Sequence, residues 1–352
     1  MKICLFDPGL ENNNGTPSAN LGDLIIQEAV DREINSLFGN CEIIRIATHT
    51  YPTQEHINLA RKCSFILVGG TNLLHWRMKE QRQWMILLKQ KMQIRRAVLL
   101  GVGWRSYEQT PDFYTSLSLK TVLSNRLFHS VRDNYTKMQL QTIGIKNVIN
   151  TGCPTMWPIR HIESKEIPQE KSENALVMLT DYSKEPDLDR KLLELALSKY
   201  KKVFIWSQGR GDMQYVCDLL SVTDFPTIVL GKSAINQISS LISDTRFPVL
   251  VLEHSIQAFE NLLNSQIQFD YIGTRLHGGI KCLLSKRRSL IIAIDNRAKE
   301  IAKETGLPTV SRADFDYMSK WIDEPHNTNI QIDIDAINAW KSQFKQFISK
   351  VA

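Results

Sequence analysis

The sequence predicts an α/β protein made of two halves, each a parallel sheet covered by helices on both faces. Short apolar runs alternate with amphipathic helical stretches along most of the chain, which is the order of a parallel sheet with helical crossovers. The predicted strands are continuous apolar runs, as expected when both faces of a sheet are covered. The pattern stops in a polar segment at 159–174 and then starts again, which divides the chain.

The first half alternates strands and helices along the chain. Each strand is a run rich in apolar residues, and each helix carries its apolar residues on one face. The predicted strands are Ile3–Phe6, Ile43–Ala47, Phe65–Val68, Ala97–Gly101 and Leu127–Val131. The predicted helices are Leu24–Phe38, Gln54–Lys62, Met78–Met92, Phe113–Leu123 and Asn134–Ile143.

The second half repeats this order of elements without repeating the residues of the first. Its predicted strands are Ala175–Leu179, Val203–Trp206, Thr227–Leu230, Pro248–Leu252, Gln268–Ile272 and Ser289–Ile294. A helix follows at Gly278–Leu284, and a final amphipathic helix spans Ile334–Ile348. We therefore expect Rossmann-like domains at 1–158 and 175–330, a linker at 159–174 and a C-terminal helix at 331–352. Because ligands of such sheets bind beyond the carboxyl ends of the strands, we expect the two parallel sheets to face a central cleft.

Composition places the chain among globular proteins and argues against metal chemistry. Its 352 residues, 43% hydrophobic and 23% charged, suit two domains of ordinary size. The six cysteines are scattered without a CxxC pair or a close Cys/His spacing, so we expect reduced core thiols and no metal site. They are Cys4, Cys41, Cys63, Cys153, Cys217 and Cys282.

The apolar pattern predicts neither secretion nor a membrane span. Asp7 closes the first apolar run before a signal peptide could form, and no stretch approaches the ~18–20 apolar residues that cross a bilayer. We expect a cytoplasmic protein. The formal charge of +6 fits either a solvated surface or a preference for anionic substrates, including peripheral contact with the inner face of the cytoplasmic membrane. The basic residues are dispersed and lack interleaved aromatics, so no nucleic-acid partner is expected.

The most informative segment is the turn 274–278, between the predicted strand Gln268–Ile272 and the helix that follows. The first N–H groups of a helix have no partner inside the helix, and the helix dipole favours negative charge there. Arg275 adds a planar fork of donors that fits a carboxylate or a phosphate. His277 can gain or lose a proton near neutral pH. The turn therefore predicts an anion site with an acid–base group beside it.

Two segments of the first half carry further candidates at strand ends. The long polar loop after the first strand ends at Asn20–Asp23, where Asp23 is either a helix-capping carboxylate or a functional one. Gly69–Asn72 follows a buried strand, and its paired glycines allow either a tight turn or close approach of a ligand. Both readings stay open for each segment.

Three further segments are informative by what they contain or lack. Gly101-Val102-Gly103 lacks the third glycine of a dinucleotide fingerprint, which argues against a nicotinamide or flavin cofactor. Arg132 either pairs with Asp133 at the surface, which is favoured when it is taken alone, or contacts an anion in the cleft. Lys299 is either an anion contact or a solvated helix lysine.

Taken together and in this order, these segments resemble the polysaccharide pyruvyl transferase family. The motifs that carry the resemblance are Asn20–Asp23, Gly69–Asn72, Gly101–Gly103, Ser130–Asp133, Thr151–Pro154 and Arg275–Gly278. The chain departs from the family pattern at Thr71, where many members carry a third glycine. It also lacks the aromatic residue and the arginine that are common in the loop after the first strand.

The resemblance implies a two-domain enzyme similar to the GT-B glycosyltransferases. Members of the family transfer the pyruvyl group of phosphoenolpyruvate to a sugar as a cyclic ketal and release phosphate. The expected acceptor is a sugar, an oligosaccharide or a lipid-linked saccharide of exopolysaccharide biosynthesis, held by the N-terminal domain. Phosphoenolpyruvate is expected on the C-terminal domain, with no cofactor. The implied catalytic residues are His277, Arg275 and Asp23, and the implied substrate-binding residues are Asn20, Gly70, Thr71, Asn72, Arg132, Thr274, Leu276, Gly278 and Lys299.

Three alternatives remain at this point. A GT-B glycosyltransferase that uses a nucleotide sugar has the same scaffold, but Glu253 and Glu260 are seven residues apart, whereas the retaining branch often shows two glutamates eight apart. A non-catalytic carbohydrate-binding protein derived from such an enzyme is a second alternative. In the third, Arg275 pairs structurally with Asp270 or Asp295, and His277 is a satisfied buried histidine.

Overall fold

In the computed structural model the chain forms two compact units. The structure describes residues 1–107, 109–220, 227–230, 238 and 241–345, with the backbone alone at 227–230. Unit 1 comprises Met1–Ser18, Asp23–Trp157 and Gln331–Ala352, and unit 2 comprises Ala19–Gly22 and Pro158–Ile330. No helix within the described residues is both long enough and apolar enough to cross a membrane.

Unit 1 is built on a parallel sheet. Its strands are β1 (Lys2–Asp7), β2 (Glu42–Ala47), β3 (Phe65–Leu74), β4 (Ala97–Trp104), β5 (His129–Val131) and β6 (Val148–Asn150). They form a 6-stranded sheet in the order β2-β1-β3-β4-β5-β6. Its helices are α1 (Leu21–Phe38), α2 (Gln54–Lys62), α3 (Leu88–Ile94), α4 (Phe113–Val122) and α5 (Asn134–Thr142). The first two residues of α1 are grouped with unit 2.

Unit 2 is built on a second parallel sheet. Its strands are β7 (Asn174–Met178), β8 (Lys202–Ile205), β9 (Thr227–Leu230), β10 (Val249–Leu252), β11 (Phe269–Gly273), β12 (Ser289–Ala293) and β13 (Thr309–Ser311). They form a 7-stranded sheet in the order β13-β12-β11-β7-β8-β10-β9. Its helices are α6 (Pro186–Lys199), α7 (Asp212–Leu220), α8 (Ile256–Leu263), α9 (Leu276–Leu284), α10 (Asn296–Thr305) and α11 (Phe315–Asp323), after which the chain returns to unit 1 as α12 (Ile334–Ser342).

Burial on both faces explains why the strands are continuous apolar runs. Along β1, Ile3 and Leu5 enter the core on the side of α1, while Cys4 and Phe6 enter the core on the side of α2. Side chains alternate between the faces of a strand, so each face requires its own apolar set. The predicted fold class, two Rossmann-like domains with parallel sheets, is therefore confirmed.

Side-chain caps fix where many of the helices begin. Asp133, for example, accepts a hydrogen bond of 2.7 Å from the N–H of Thr136 at the start of α5. Such a cap satisfies an N–H group that the helix itself leaves unpaired. Comparable caps are made by Thr53, Asp112, Ser255, Asp295, Asp314 and Asp333.

Two motifs that were expected in loops lie inside strands. The segments Gly69–Asn72 and Gly101–Gly103 belong to β3 and β4, where Gly69 pairs with Leu100 and Thr71 pairs with Val102. The register then shifts between Thr71 and Leu74. Both strands are longer than the apolar runs from which they were predicted, because backbone pairing continues beyond those runs.

The predicted helix Met78–Met92 is wrong over most of its length, since only Leu88–Ile94 is helical. The N–H of Met78 donates to Thr115 Oγ1 at 2.9 Å, and the N–H of Met85 donates to the carbonyl oxygen of Thr48 at 2.7 Å. A helix over this range would need the N–H of Met85 for its own ladder, although not that of Met78 in its first turn. Partners distant in sequence therefore outweigh the local helical pattern.

Three further features differ in detail from the prediction. Segment 159–174, expected as a linker, contains 3-10 turns and is grouped with unit 2, where Glu166 pairs with Lys286. The C-terminal helix ends at Ser342, and residues 346–348 of the predicted span lie outside the described residues. Four cysteines are buried, but Cys217 is exposed and Cys41 is partly exposed, so these two are not core thiols.

Candidate active site

The turn 274–278 lies where the connections of the unit 2 sheet diverge. From β7 the chain passes to β8 on one side, and it later returns to β11 on the other side of β7. Asp181 follows β7, and Arg275 follows β11. The crevice beyond the carboxyl ends of strands at such a switch point is where open α/β sheets bind ligands.

Arg275 is buried and is held by two carboxylates. Its Nε donates to Asp212 Oδ2 at 2.9 Å, and its Nη2 donates to Asp212 Oδ1. Nη2 also reaches Asp181 Oδ1 at 3.3 Å, and the guanidinium lies 4.9 Å from the ring centroid of Tyr182. Neither Asp270 nor Asp295 is its partner, because Asp270 pairs with Arg288 and Asp295 pairs with Arg297. These contacts use one edge of the guanidinium and fix its orientation.

Asp212 is itself held by backbone donors. Its carboxylate accepts hydrogen bonds from the N–H groups of Gly209 at 2.7 Å, Asp181 at 3.0 Å and Gln208 at 3.1 Å. Burial raises the pKa of the Asp212 carboxyl, while the Arg275 guanidinium and the backbone N–H groups oppose that rise. The carboxylate therefore serves as a rigid seat for Arg275.

Sequence reasoning missed this partner, although a signal was present. The segment Ser207-Gln208-Gly209-Arg210-Gly211-Asp212 joins β8 to α7 and carries two glycines. A Cβ on Gly209 would lie 2.5 Å from Arg275 Nη2, so only glycine leaves room for the guanidinium. A glycine pair that follows a buried strand and precedes a carboxylate was the clue.

His277 lies in the first turn of α9 and is 5% exposed. The turn before it is fixed by backbone and side-chain bonds. Tyr271 donates its O–H to the carbonyl oxygen of Arg275 at 2.6 Å, and the N–H of Thr274 donates to the carbonyl oxygen of Met178 at 2.8 Å. The hydroxyl of Thr274 also donates to that carbonyl, at 3.4 Å. The imidazole is thus placed at a helix N-terminus on a rigid support.

The other candidate residues of unit 2 differ in their burial and in their contacts. Leu276 is buried in the first turn of α9, and Gly278 packs against Met178. Asn20 Oδ1 accepts from Gln208 Nε2 at 3.2 Å, which ties Asn20 to the loop that carries Asp212. Lys299 is exposed on α10, and no contact of it with Arg275 is recorded among the described residues.

Unit 1 carries its candidates at its own switch point. The chain passes from β1 to β2 on one side and then to β3 on the other, so the motif in β3 lies beside β1. Arg132 follows β5 and is 2% exposed, so its pair with Asp133 is not at the surface as favoured from the sequence. Arg132 Nη1 donates to Asn72 Oδ1 at 2.6 Å. The structure thus brings Asn72 and Arg132 together.

Gly103 makes the position of Arg132 possible. A Cβ on Gly103 would lie 2.3–2.5 Å from three atoms of the Arg132 guanidinium. The second glycine of the Gly-Val-Gly segment therefore leaves room for the Arg132 guanidinium.

Thr71 has an unusual backbone conformation beside this arginine. Its φ is +139°, in a region that favours glycine and that β-branched residues rarely occupy. Such strain persists only where the surrounding structure holds it, and it concentrates at functional sites. The strained residue is the one at which the chain departs from the glycine of the family pattern.

Asp23 lies in the first turn of α1 and is partly exposed. Its Oδ2 accepts a hydrogen bond of 3.1 Å from Ser18 Oγ. Asp23 is therefore a first-turn carboxylate of α1 and not its N-cap. Among the described residues, no group of three or more His, Cys, Asp or Glu side chains is placed to hold a metal ion.

The two parallel sheets with their helices define an α/β protein of GT-B-like fold. The model of the family described as polysaccharide pyruvyl transferase matches residues 20–296, which is most of the chain. The chain belongs to the polysaccharide pyruvyl transferase family. It is therefore a transferase of polysaccharide biosynthesis, and its acceptor is a polysaccharide or a sugar. The matched range includes Asn20, Arg132, Arg275 and His277. No curated protein matches the chain.

Solved structures share the fold at low sequence identity. UDP-GlcNAc 2-epimerase of Methanocaldococcus jannaschii, solved with UDP-GlcNAc and UDP, is 12% identical over 100% of both chains, with a TM-score of 0.51. S. aureus MnaA, solved with UDP, is 11% identical over 99% of this chain and 96% of its own, with a TM-score of 0.49. E. coli heptosyltransferase WaaC, solved with ADP-2-deoxy-2-fluoro heptose, is 8% identical over 83% and 88%, with a TM-score of 0.36. The similarity to UDP-GlcNAc 2-epimerase supports the assignment of the fold and carries no conclusion about activity.

Proposed function

We propose that the protein transfers the pyruvyl group of phosphoenolpyruvate to a sugar of a cell-surface polysaccharide or of its precursor. The product is a cyclic pyruvate ketal, and inorganic phosphate is released. The observation that carries this proposal is the N-terminal turn of α9, where a rigidly seated Arg275 precedes the buried His277. Membership of the pyruvyl transferase family supports it. The reaction requires no cofactor.

The reaction balances without an oxidant or a reductant. A proton is added to the methylene carbon of phosphoenolpyruvate, which becomes a methyl group and leaves an oxocarbenium-like centre at the adjacent carbon. One sugar hydroxyl attacks that carbon, and the bond from the carbon to the phosphate oxygen breaks. A second hydroxyl then closes the ketal ring. Of the two hydroxyl protons released, one replaces the proton given to carbon and the other leaves with phosphate.

We assign His277 to the proton transfer, either to the methylene carbon or to the departing phosphate. General acid–base catalysis of this kind is typically worth ~10²–10⁴-fold in rate. Asp23 is the candidate for accepting a hydroxyl proton from the sugar. Its carboxylate is partly exposed and lies in the first turn of α1, where it accepts a hydrogen bond from Ser18 Oγ.

Arg275 is assigned to the anionic groups of phosphoenolpyruvate. Asp212 binds its Nε and Nη2, so the arginine offers a substrate its remaining donor, Nη1, in a fixed direction. The first N–H groups of α9, which have no partner within the helix itself, point to the same end of the helix and favour an anion there. Arg132 and Lys299 are the candidates for the second anion contact. Gly70, Thr71 and Asn72 are assigned to substrate binding as the family pattern implies.

The proposal is tested by incubating the protein with phosphoenolpyruvate and a panel of sugar acceptors. Phosphate release and the mass of the product are measured together. A product that gains the mass of pyruvic acid less water, with one phosphate per transfer, is the expected result. Release of a nucleoside diphosphate from a nucleotide sugar, with no dependence on phosphoenolpyruvate, would instead indicate a glycosyltransferase.

Two variants test the assigned residues. His277→Ala should lower kcat by about 10²-fold or more, because it removes the proton donor. His161→Ala removes an exposed histidine of the same unit and should keep normal activity. The activity of Arg275→Lys should also be low, because the point charge of a lysine does not replace a guanidinium that is bound to two carboxylate oxygens. If His277→Ala retains most of the activity, His277 has no part in the mechanism.

A further inference from the structure

Unit 1 carries a group of exposed cations at the amino edge of its sheet, at the opposite end of the strands from Arg132. Arg95 and Arg96 lie between α3 and β4, Lys120 lies in the last turn of α4, and Arg126 precedes β5. All four side chains are exposed. These four residues, Arg95, Arg96, Lys120 and Arg126, are called the basic edge below.

Two surface cavities meet at the basic edge. One has a volume of about 350 Å³ and is lined by Arg95 and Lys120 together with Met92. The other has a volume of about 420 Å³ and is lined by Arg95, Arg96 and Arg126. Among the described residues that line the two cavities there is no carboxylate. Arg95 lines both cavities, so like charges converge on the recess beside this residue.

The basic edge has no internal counter-charge. Within the part of the chain that the structure describes, none of its four cations forms an ion pair, whereas exposed lysines elsewhere do, such as Lys2 with Glu42. Arg96 Nη2 instead donates to the carbonyl oxygens of Arg61 at 2.8 Å and Cys63 at 2.6 Å. Like charges held together repel each other, and an external anionic partner relieves that repulsion.

Arg95 has a backbone conformation that disfavours arginine, which indicates a functional role for its side chain. Arg95 ends α3 with φ 39° and ψ 22°, a left-handed position that glycine or asparagine usually occupies. An arginine there is disfavoured relative to glycine, and no hydrogen bond of its side chain is recorded among the described residues. Helix dipoles favour Lys120 and Arg95 at helix ends, but Arg96 and Arg126 lie outside helices. The dipole alone does not explain the group.

Exposed apolar side chains lie in the first cavity and along the helix α4, which carries Lys120 in its last turn. Met92, which lines the first cavity, is 44% exposed. Phe113 and Leu117 are four residues apart on α4, and Lys120 follows three residues later, so the three share one helix face. Phe113 is 83% exposed and Leu117 is 43% exposed. Basic residues beside exposed apolar ones are typical of surfaces that bind anionic membranes. Two of these three apolar side chains, Met92 and Leu117, are aliphatic and offer nucleic-acid bases no stacking platform, whereas Phe113 could stack on a base.

We propose that the basic edge, with Met92, Leu117 and Phe113, docks unit 1 on a bilayer of anionic phospholipid. Lipid phosphates occupy the recess at Arg95, and the apolar side chains enter the interface between headgroups and acyl chains. The surface is separate from the residues assigned to catalysis, so this inference stands or falls independently of the donor substrate.

Cosedimentation of the full chain with lipid vesicles tests the proposal. The protein should bind vesicles of phosphatidylcholine with phosphatidylglycerol, should not bind phosphatidylcholine alone, and should dissociate as salt is added. Arg95→Gln with Arg126→Gln should lower the partition coefficient about 30-fold, because each basic residue near an anionic surface contributes about a factor of five. Lys191→Gln with Lys303→Gln removes the same charge from exposed helix positions of unit 2 and should bind as the wild type does.

A second variant separates insertion from charge attraction. Phe113→Ser with Leu117→Ser should weaken binding to anionic vesicles while the salt dependence stays the same. The proposal is overturned if the wild type does not bind anionic vesicles, or if the control pair loses as much affinity as the basic-edge pair. It is equally overturned if the basic-edge pair loses affinity for duplex RNA and none for vesicles. Thermal unfolding of each variant confirms that it is folded.

Discussion

Each unit has one buried candidate arginine that is bound to a carboxylate of the same unit. Arg275 binds Asp212 through Nε and Nη2, and Arg132 binds Asp133 through the same two nitrogens. The pair with Asp212 leaves Nη1 of Arg275 in a fixed direction, which is the preorganisation that anion recognition requires, whereas Nη1 of Arg132 donates to Asn72 Oδ1. The carboxylates are therefore positioning residues. Their removal would leave a buried charge without compensation.

Thr71 offers a test of backbone strain at the residue scale. Because its φ of +139° favours glycine, Thr71→Gly should raise the free energy of unfolding by about 1 kcal/mol, the relief of strain exceeding the entropy gained by the unfolded chain. Thr71→Ser keeps the Cβ atom and should give no such gain. Urea unfolding of both variants checks this, and a less stable Thr71→Gly protein would show that the conformation is not strained.

At the scale of elements, Gly69 in β3 and Gly103 in β4 have different structural roles. Gly103 leaves room for the Arg132 guanidinium, whereas a Cβ on Gly69 would meet its neighbours only at 3.4–3.5 Å, an ordinary contact. Gly103→Ala should therefore displace Arg132 and reduce kcat/KM by at least about tenfold, as small misplacements of a substrate-contacting group do. Gly69→Ala is the matched control and should keep most of the activity. Equal activity of the two variants would show that Arg132 does not contact the substrate.

His129 at the start of β5 predicts a pH dependence of stability. The ring is buried between the N–H of Leu99 and the carbonyl oxygen of Ser124, and burial lowers the pKa of His129 from 6.5 to about 4. Between pH 6.5 and about 4, the imidazole of His129 is therefore protonated in the unfolded chain and neutral in the folded protein. Stability should fall as the pH drops from 6.5 towards 4, by up to about 3 kcal/mol from this group.

Unfolding free energies measured across that range, for the wild type and for His129→Gln, check this prediction. The variant cannot take up the proton, so its stability should depend less on pH in this window. A profile identical to that of the wild type would assign the acid sensitivity to other groups.

The sequence predicts elements well where local pattern and packing agree. The bounds of α2 and β9 match the predicted Gln54–Lys62 and Thr227–Leu230. Prediction fails in the region of Met78, where the N–H groups bond to Thr48 and Thr115, which are distant in sequence. The turn that holds Arg275 and His277 can be predicted from the sequence because its residues are adjacent in the chain. Its partners Asp212 and Asp181 are 63 and 94 residues away in the chain, so the fold alone brings them to it.

At the scale of the whole molecule, both units place their candidate residues by the same topological rule. In each sheet the connections diverge beside the first strand, and the arginine turn of unit 2 and the glycine-rich segment of unit 1 lie at those points. The family assignment gives the class of reaction, and the residues at the switch points give candidates for its steps. The choice between phosphoenolpyruvate and a nucleotide does not follow from the fold, because the UDP-bound epimerase has a similar one.

Thermal unfolding in the presence of each ligand tests that choice most directly. A ligand at one hundred times its Kd stabilises the folded state by about 2.7 kcal/mol, so phosphoenolpyruvate should raise the Tm by several degrees. UDP at the same concentration should leave the Tm unchanged, and Arg275→Lys should lose most of the phosphoenolpyruvate shift relative to its own unliganded Tm. A rise with UDP and none with phosphoenolpyruvate would contradict the account.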